Sequence, residues 1–151
     1  MASSLRQSSG AWFTRLRDPH GRVILSDDVQ PPPQRILVVE DEPDLRQVLA
    51  TVLEMEGAEV LTAANGLEAL KLATACRPSV IVLDLMMPVM SGEDFRRAQL
   101  ADETIRDIPV VVVSAHHDTP AIAARLDAAG YLEKPLDLET FARFISERAR
   151  H

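Results

Sequence analysis

Five side chains stand where short apolar runs give out. Glu40 and Asp41 follow Ile36-Leu37-Val38-Val39, Asp84 follows Val80-Ile81-Val82-Leu83, Ser114 follows the valines of 110–113, and Lys134 follows Tyr131-Leu132-Glu133. Three carboxylates, a hydroxyl and an ammonium form a coherent set if the chain brings them together. Carboxylates at close range repel one another. A hard divalent cation relieves that repulsion, and Mg²⁺ accepts such oxygen ligands at about 2.0–2.1 Å; Mn²⁺ is the alternative ion. Lysine supplies a movable point charge for a phosphate oxygen, and serine supplies a hydroxyl donor. The set suits arrival of a phosphoryl group on one carboxylate, whose oxygen attacks phosphorus while positive charge settles the equatorial oxygens.

Each residue alone has an ordinary structural reading. An acidic pair before a helix favours the helix dipole, an aspartate after a strand can be a cap, and Lys134-Pro135 can be a turn. What favours chemistry is joint placement, and that depends on the elements between them. After the first run, Pro43 opens a helix with Leu45, Val48, Leu49, Val52 and Leu53 on one face, ending near Gly57. A second strand spans 58–63. Asn65-Gly66 opens a second helix with Leu67, Leu70 and Ala73 inward, ending before Pro78. The third strand ends at Asp84, and a polar helix covers about 92–100. The fourth strand ends at Ser114, and a short Ala-rich helix lies within 119–129. After the fifth strand, Leu138, Phe141, Ala142, Ile145 and Ala149 mark the inner face of a last helix.

Short buried strands alternating with amphipathic helices predict an α/β fold: a doubly wound parallel sheet of five strands with helices on both faces. In such sheets ligands bind beyond the carboxyl ends of the strands, at a topological switch point. All five candidate residues occupy those ends.

The 151-residue chain carries a net charge of −7. Residues 1–34 contribute +1 and residues 35–151 contribute −8. An acidic domain repels phosphate backbones, which argues against nucleic-acid partners. The single cysteine, Cys76, excludes an internal disulfide and any Cys-rich zinc site, and its ordinary role is that of a small buried residue. No apolar run nears the roughly 18 residues of a membrane span, and the first thirty residues lack a signal-peptide core. The expectation is a soluble, cytoplasmic protein. Residues 1–34, rich in Ser and Arg and ending in Pro31-Pro32-Pro33, read as a mostly flexible extension with a stiff linker. Within it, Trp12-Phe13 and Val23-Ile24-Leu25 are small apolar runs that could dock.

Four blocks carry a family resemblance: Ile36 to Glu42; Val82-Leu83-Asp84-Leu85-Met86-Met87-Pro88 through Ser91-Gly92; Val113-Ser114-Ala115; and Tyr131-Leu132-Glu133-Lys134-Pro135. In order and spacing they resemble the response-regulator receiver domain of two-component signalling, over about 35–150. The resemblance implies a flavodoxin-like sheet in the order 2-1-3-4-5. It implies Asp84 as phosphoacceptor. Glu40, Asp41, Asp84 and the backbone carbonyl of Met86 become ligands of Mg²⁺ (or Mn²⁺), Glu40 through a water or a shifted metal position. Lys134 pairs with the phosphate, and its bond to Pro135 is expected to be cis. Ser114 and Tyr131 form the switch. Met86 and His116, each two residues after a site residue, modulate water attack on the phosphoaspartate; for His116 a plain loop role is the commoner outcome.

The segment from Ser114 to Lys134 is about two residues shorter than is usual in the family, so the fourth helix is expected to be short or displaced. That leaves the usual dimer unassumed and the oligomeric state open. The implied partners are a histidine kinase or histidine phosphotransfer protein and a downstream protein, with no membrane partner. The implied protein is not an enzyme beyond its own phosphorylation and dephosphorylation. Output is expected through protein–protein interaction or phosphorelay. A phosphorylation-independent adaptor and a receiver segment of a larger hybrid kinase are the alternatives. A Mg²⁺-dependent phosphatase is disfavoured, because Met86 stands where such enzymes place a second acid.

Overall fold

A computed structural model describes residues 3–6, 12–26 and 33–150. The chain divides into two units, Met1–Pro33 and Gln34–His151. The local structure in the first unit is a three-stranded antiparallel sheet, β1 (Ser3–Arg6), β2 (Trp12–Arg17) and β3 (Val23–Ser26), in that spatial order. The turn joining β2 to β3 is built on Asp18. Its carboxylate accepts the His20 N–H at 2.9 Å and the Arg22 N–H at 2.8 Å, and Gly21 takes φ +80°. Pro31, Pro32 and His151 lie outside the described residues.

The second unit runs β4 (Arg35–Val39), α1 (Pro43–Met55), β5 (Glu59–Ala63), α2 (Gly66–Cys76), β6 (Val80–Asp84), α3 (Gly92–Ala101), β7 (Val110–Ser114), α4 (Thr119–Arg125), β8 (Gly130–Glu133) and α5 (Leu138–Ala149). The five strands are parallel in the order β5-β4-β6-β7-β8, which is 2-1-3-4-5 within the unit. The central strands β4, β6 and β7 are almost wholly buried, as their continuous apolar runs require. Because side chains alternate across a strand, the sheet feeds two cores. Ile36, Val38, Val80 and Val82 pack against Leu49 and Leu53 of α1 and Phe141 and Ile145 of α5. Leu37, Val39, Ile81 and Leu83 pack on the other face against Ala69 and Ala73 of α2 and Phe95 of α3. Among the described residues no helix is long and apolar enough to cross a membrane.

Helix termini follow their local chemistry. Asn65, Ser91 and Asp137 cap α2, α3 and α5 by accepting backbone N–H groups three residues on. Three inner-face expectations are corrected. Val48, Leu67 and Leu138 are exposed. Helix α1 buries Leu49, Ala50 and Leu53, a stripe displaced from Val48. Helix α2 seats itself through Gly66, Ala69 and Ala73, small residues that allow close approach and turn Leu67 outward. Helix α5 begins its buried stripe at Phe141, one turn beyond Leu138.

Helix α4 has only seven residues, as the short Ser114–Lys134 segment predicts. The chain turns out of it at Asp127, which takes φ +52°, a conformation aspartate tolerates better than most residues. A buried polar cluster anchors this end. Arg96 on α3 donates to the carbonyls of Leu126 at 3.0 Å and Asp127 at 2.9 Å, and to the Gln99 amide oxygen at 2.7 Å. Gln99 donates in turn to the carbonyls of Ile105 and Ile108, at 3.0 and 2.9 Å. Arg96 and Gln99 thereby partner four main-chain carbonyls at this end of the fold.

Candidate functional site

Strand β4 pairs with β5 on one side and with β6 on the other, so chain order reverses across β4. Val39 of β4 is in register with Leu83 of β6, and the next residues along the two strands are Glu40 and Asp84. Both side chains are buried beyond the strand ends. Asp84 is in register with Val113, and Ser114 with Glu133, which brings Lys134 to the same edge. The Lys134 N–H donates to the Ser114 carbonyl at 3.0 Å, and the Lys134-Pro135 bond is cis.

The ammonium of Lys134 donates to Glu40 Oε2 at 3.0 Å and lies 3.5 Å from Asp84 Oδ2. One carboxylate oxygen from each of Glu40, Asp41 and Asp84 lies within 4.8 Å of the other two. Three acids thus face one cation. Burial, with the charge of Asp84 nearby, pushes the Glu40 carboxyl up to about 7, although its hydrogen bond with Lys134 opposes the shift. Asp84 is raised as well, again chiefly by burial, against the Met86 N–H and the Lys134 charge. Burial alone would lower Lys134; the Glu40 hydrogen bond and the Asp84 charge outweigh it, and the ammonium is stabilised. All-oxygen donors, close-set and short of positive charge, fit a hard divalent cation.

The supporting contacts are local. The Met86 N–H donates to Asp84 Oδ1 at 3.2 Å, while the Met86 side chain is exposed. The Glu42 N–H reaches Glu40 Oε1 at 3.4 Å. The loop after β6 turns tightly into α3, where the Gly92 N–H donates to the Leu85 carbonyl at 3.1 Å. A Cβ at Gly92 would overlap the Asp84 carbonyl oxygen and the Leu85 Cα, so only glycine lets α3 begin this close to Asp84. The Ser114 hydroxyl is fully buried and accepts the His116 N–H at 3.2 Å. Tyr131 lies on the edge strand β8 and is 41% exposed. His116 is half-buried, and its Nδ1 accepts the Asp118 N–H at 3.0 Å.

Sequence reasoning brings Glu40, Asp41, Asp84 and Lys134 together correctly in space, and sets Ser114 beside them. It missed Arg46. This α1 residue donates to the Glu40 carbonyl at 2.8 Å and reaches the Asp41 carbonyl at 3.4 Å, tying the acidic pair to the first turn of the helix. Its one local signal was an arginine beside the apolar stripe of α1. A small hollow of about 50 Å³ lies away from these residues, beside Ile36, Glu56, Ser146 and Arg150.

Residues 36–146 match the response regulator receiver domain family. The transcriptional regulatory protein PrrA of Mycobacterium tuberculosis is 42% identical over 106 residues, which are 69% of this chain and 45% of PrrA. The DNA-binding response regulator MtrA of Mycolicibacterium smegmatis is 34% identical over 119 residues, 78% of this chain and 51% of MtrA. The chain thus spans about half the length of these relatives. Among solved structures, the chemotaxis response regulator CheY4 of Vibrio cholerae superimposes with a TM-score of 0.72 at 30% identity, covering 78% of this chain and 99% of CheY4. The sheet order, the acids at its carboxyl edge and these likenesses agree: the chain belongs to the response regulator receiver domain family.

Proposed function

We propose that this chain receives a phosphoryl group on Asp84 from a phosphohistidine and signals through the change that follows. The observation that carries the reading is the cluster of Glu40, Asp41 and Asp84 around Lys134 at the switch point of the sheet. An oxygen of the Asp84 carboxylate attacks phosphorus, forming an O–P bond as the P–N bond to the donor imidazole breaks and its electron pair returns to the ring. Lys134 leaves Glu40 for a phosphoryl oxygen, a short movement for an ammonium already 3.5 Å from Asp84. Glu40, Asp41, Asp84 and the Met86 carbonyl would hold the divalent cation, Mg²⁺ or Mn²⁺. That ion, when bound, neutralises the acids and the charge gathering on the equatorial oxygens.

Ser114 and Tyr131 act as the switch. The Ser114 hydroxyl exchanges its bond with the His116 N–H for a phosphoryl oxygen, and the exposed Tyr131 ring turns inward behind it. The donor is a histidine kinase or a histidine phosphotransfer protein in the cytoplasm, and the output is contact with a further protein or relay of the phosphate. Met86 offers no group to orient a water, so the phosphoaspartate hydrolyses slowly. Hydrolysis within seconds in purified protein, slowed by Met86→Asn, would contradict that.

The test is intact-mass spectrometry after incubation with acetyl phosphate. The expected result is a gain of one phosphoryl group that needs Mg²⁺ and is absent in Asp84→Asn. No gain, together with no binding of beryllofluoride, would leave the adaptor reading in its place.

A further inference from the structure

A second group of metal-ligating side chains lies just beyond the acidic site. His116, His117 and Asp118 are consecutive, and one donor atom from each lies within 4.8 Å of the other two. Their chemistry differs from that of the acidic cluster: two imidazoles and one carboxylate in place of three carboxylates. We propose that His116, His117 and Asp118 form a binding site for a borderline divalent transition-metal ion, Zn²⁺, Ni²⁺ or Cu²⁺.

Three observations support the assignment. First, His117 Nε2 and Asp118 Oδ2 are 3.1 Å apart. Two ligands each about 2.0–2.1 Å from one ion, at tetrahedral to right angles, are separated by roughly 2.9–3.4 Å, so an ion that replaces the Nε2 proton between this pair meets them at the bite of a chelate. Second, the two imidazoles are held together, ring centroids 4.6 Å apart and planes 18° from parallel. Third, His117 and Asp118 are open to solvent, with side chains 84% and 60% exposed, so an ion can reach them without unfolding anything. Asp118 spends no side-chain bond on capping α4; its carboxylate is engaged by His117, the other half of the same pair.

The donor set selects the ion. Imidazole nitrogen favours Zn²⁺, Ni²⁺ and Cu²⁺, whereas Mg²⁺ prefers oxygen and keeps its waters. The two clusters should therefore sort metals between them. The ligands are also ranked. His117 and Asp118 form the primary pair. His116 joins at a cost, because its Nδ1 lone pair is engaged by the Asp118 N–H at 3.0 Å, and it must give up that bond or shift its ring proton to bind. The proposal does not depend on the phosphoryl chemistry of Asp84.

The experiment is calorimetric titration of the untagged full chain with Ni²⁺ and with Zn²⁺, in excess Mg²⁺, followed by Cu²⁺ electron paramagnetic resonance. The proposal predicts one ion bound per chain, and nitrogen hyperfine structure in the copper spectrum. His117→Ala and Asp118→Ala should each weaken binding roughly tenfold or more, since loss of a ligand costs at least as much as loss of an outer-sphere partner. His116→Ala should weaken it less, and Asp84→Asn should leave it unchanged. Because these side chains are exposed, far-ultraviolet circular dichroism should show every variant folded. Three results would each overturn the proposal: no binding in excess Mg²⁺, binding lost with Asp84→Asn, or binding indifferent to His117→Ala and Asp118→Ala.

Discussion

The second unit buries two polar clusters, and they are built on opposite terms. Around Arg96, one guanidinium and one amide meet four backbone carbonyls, and each donor nitrogen has an acceptor. Around Lys134, the hydrogen bonds are also made, yet three carboxylates share one ammonium. Hydrogen-bond bookkeeping does not separate the two, since no buried side-chain polar atom among the described residues lacks a partner. The sign of the charge does. The first cluster holds one guanidinium among carbonyl dipoles, a charge that burial opposes, and belongs to the architecture. The second carries excess negative charge in a buried place, a condition that costs stability unless something positive arrives.

Substitutions should dissociate the two. Asp84→Asn should abolish phosphoryl uptake outright, while leaving the metal-free domain as stable as before or more so, because one like charge is gone. Phosphoryl uptake by mass spectrometry and urea unfolding on the same samples would check both halves. Arg96→Ala should do the reverse. It strands the carbonyls of Leu126 and Asp127 and the Gln99 amide, at a cost of about 3 kcal/mol, yet the folded fraction should still be phosphorylated. Arg96→Ala that unfolds no more easily than wild type would mean that the cluster does not anchor α4.

Acidity sharpens the contrast. The Glu40 carboxyl is raised to about 7 from an ordinary 4.5. The folded state then holds a proton that the unfolded chain has lost, so stability is full below about 4.5 and falls as pH rises toward 7. The raised Asp84 adds to the loss in the same direction. Lys134 contributes at the alkaline end, its stabilisation fading above its ordinary 10.5. Denaturant melts from pH 4.5 to 8 should show this decline without metal and a shallower one with Mg²⁺. Glu40→Gln should flatten it, and a slope unchanged in that variant would assign the effect to other groups.

The smallest effect concerns backbone conformation. Asp127, beside Arg96, and Val89, in the loop after Asp84, both take positive φ. Aspartate bears this readily; a β-branched valine does not. Val89 is 82% exposed and loses little contact on truncation. Val89→Gly should therefore stabilise the domain by about 1 kcal/mol or less, read from urea midpoints. A loss of stability would show that the valine side chain has a contact worth more than the strain.

Much of this was legible in the residues. Apolar runs at 36–39, 80–83 and 110–113 are buried on both faces, and such strands need no partner's identity to be recognised. The site followed from them, because Glu40, Asp84, Ser114 and Lys134 are defined by strand ends, and parallel strands bring their ends together. Helix faces were less legible. Val48, Leu67 and Leu138 satisfy the period of their helices but point away from the sheet, since alanine and glycine can seat a helix as well as leucine can. Arg96 and Gln99 left no sequence signal, and Arg46 only that of an arginine beside an apolar stripe, because their partners are chiefly main-chain carbonyls, which every sequence has. In the first unit, Val23-Ile24-Leu25 was visible as a short apolar run, but three short strands do not announce their pairing.

The most direct test is chemical localisation of the phosphoryl group. After acetyl phosphate and Mg²⁺, borohydride reduction converts an aspartyl phosphate to homoserine, and peptide mass spectrometry finds where. The account predicts homoserine at position 84 alone, and none when Mg²⁺ is withheld. Homoserine at position 41, or phosphate bound with no acid reduced, would contradict it.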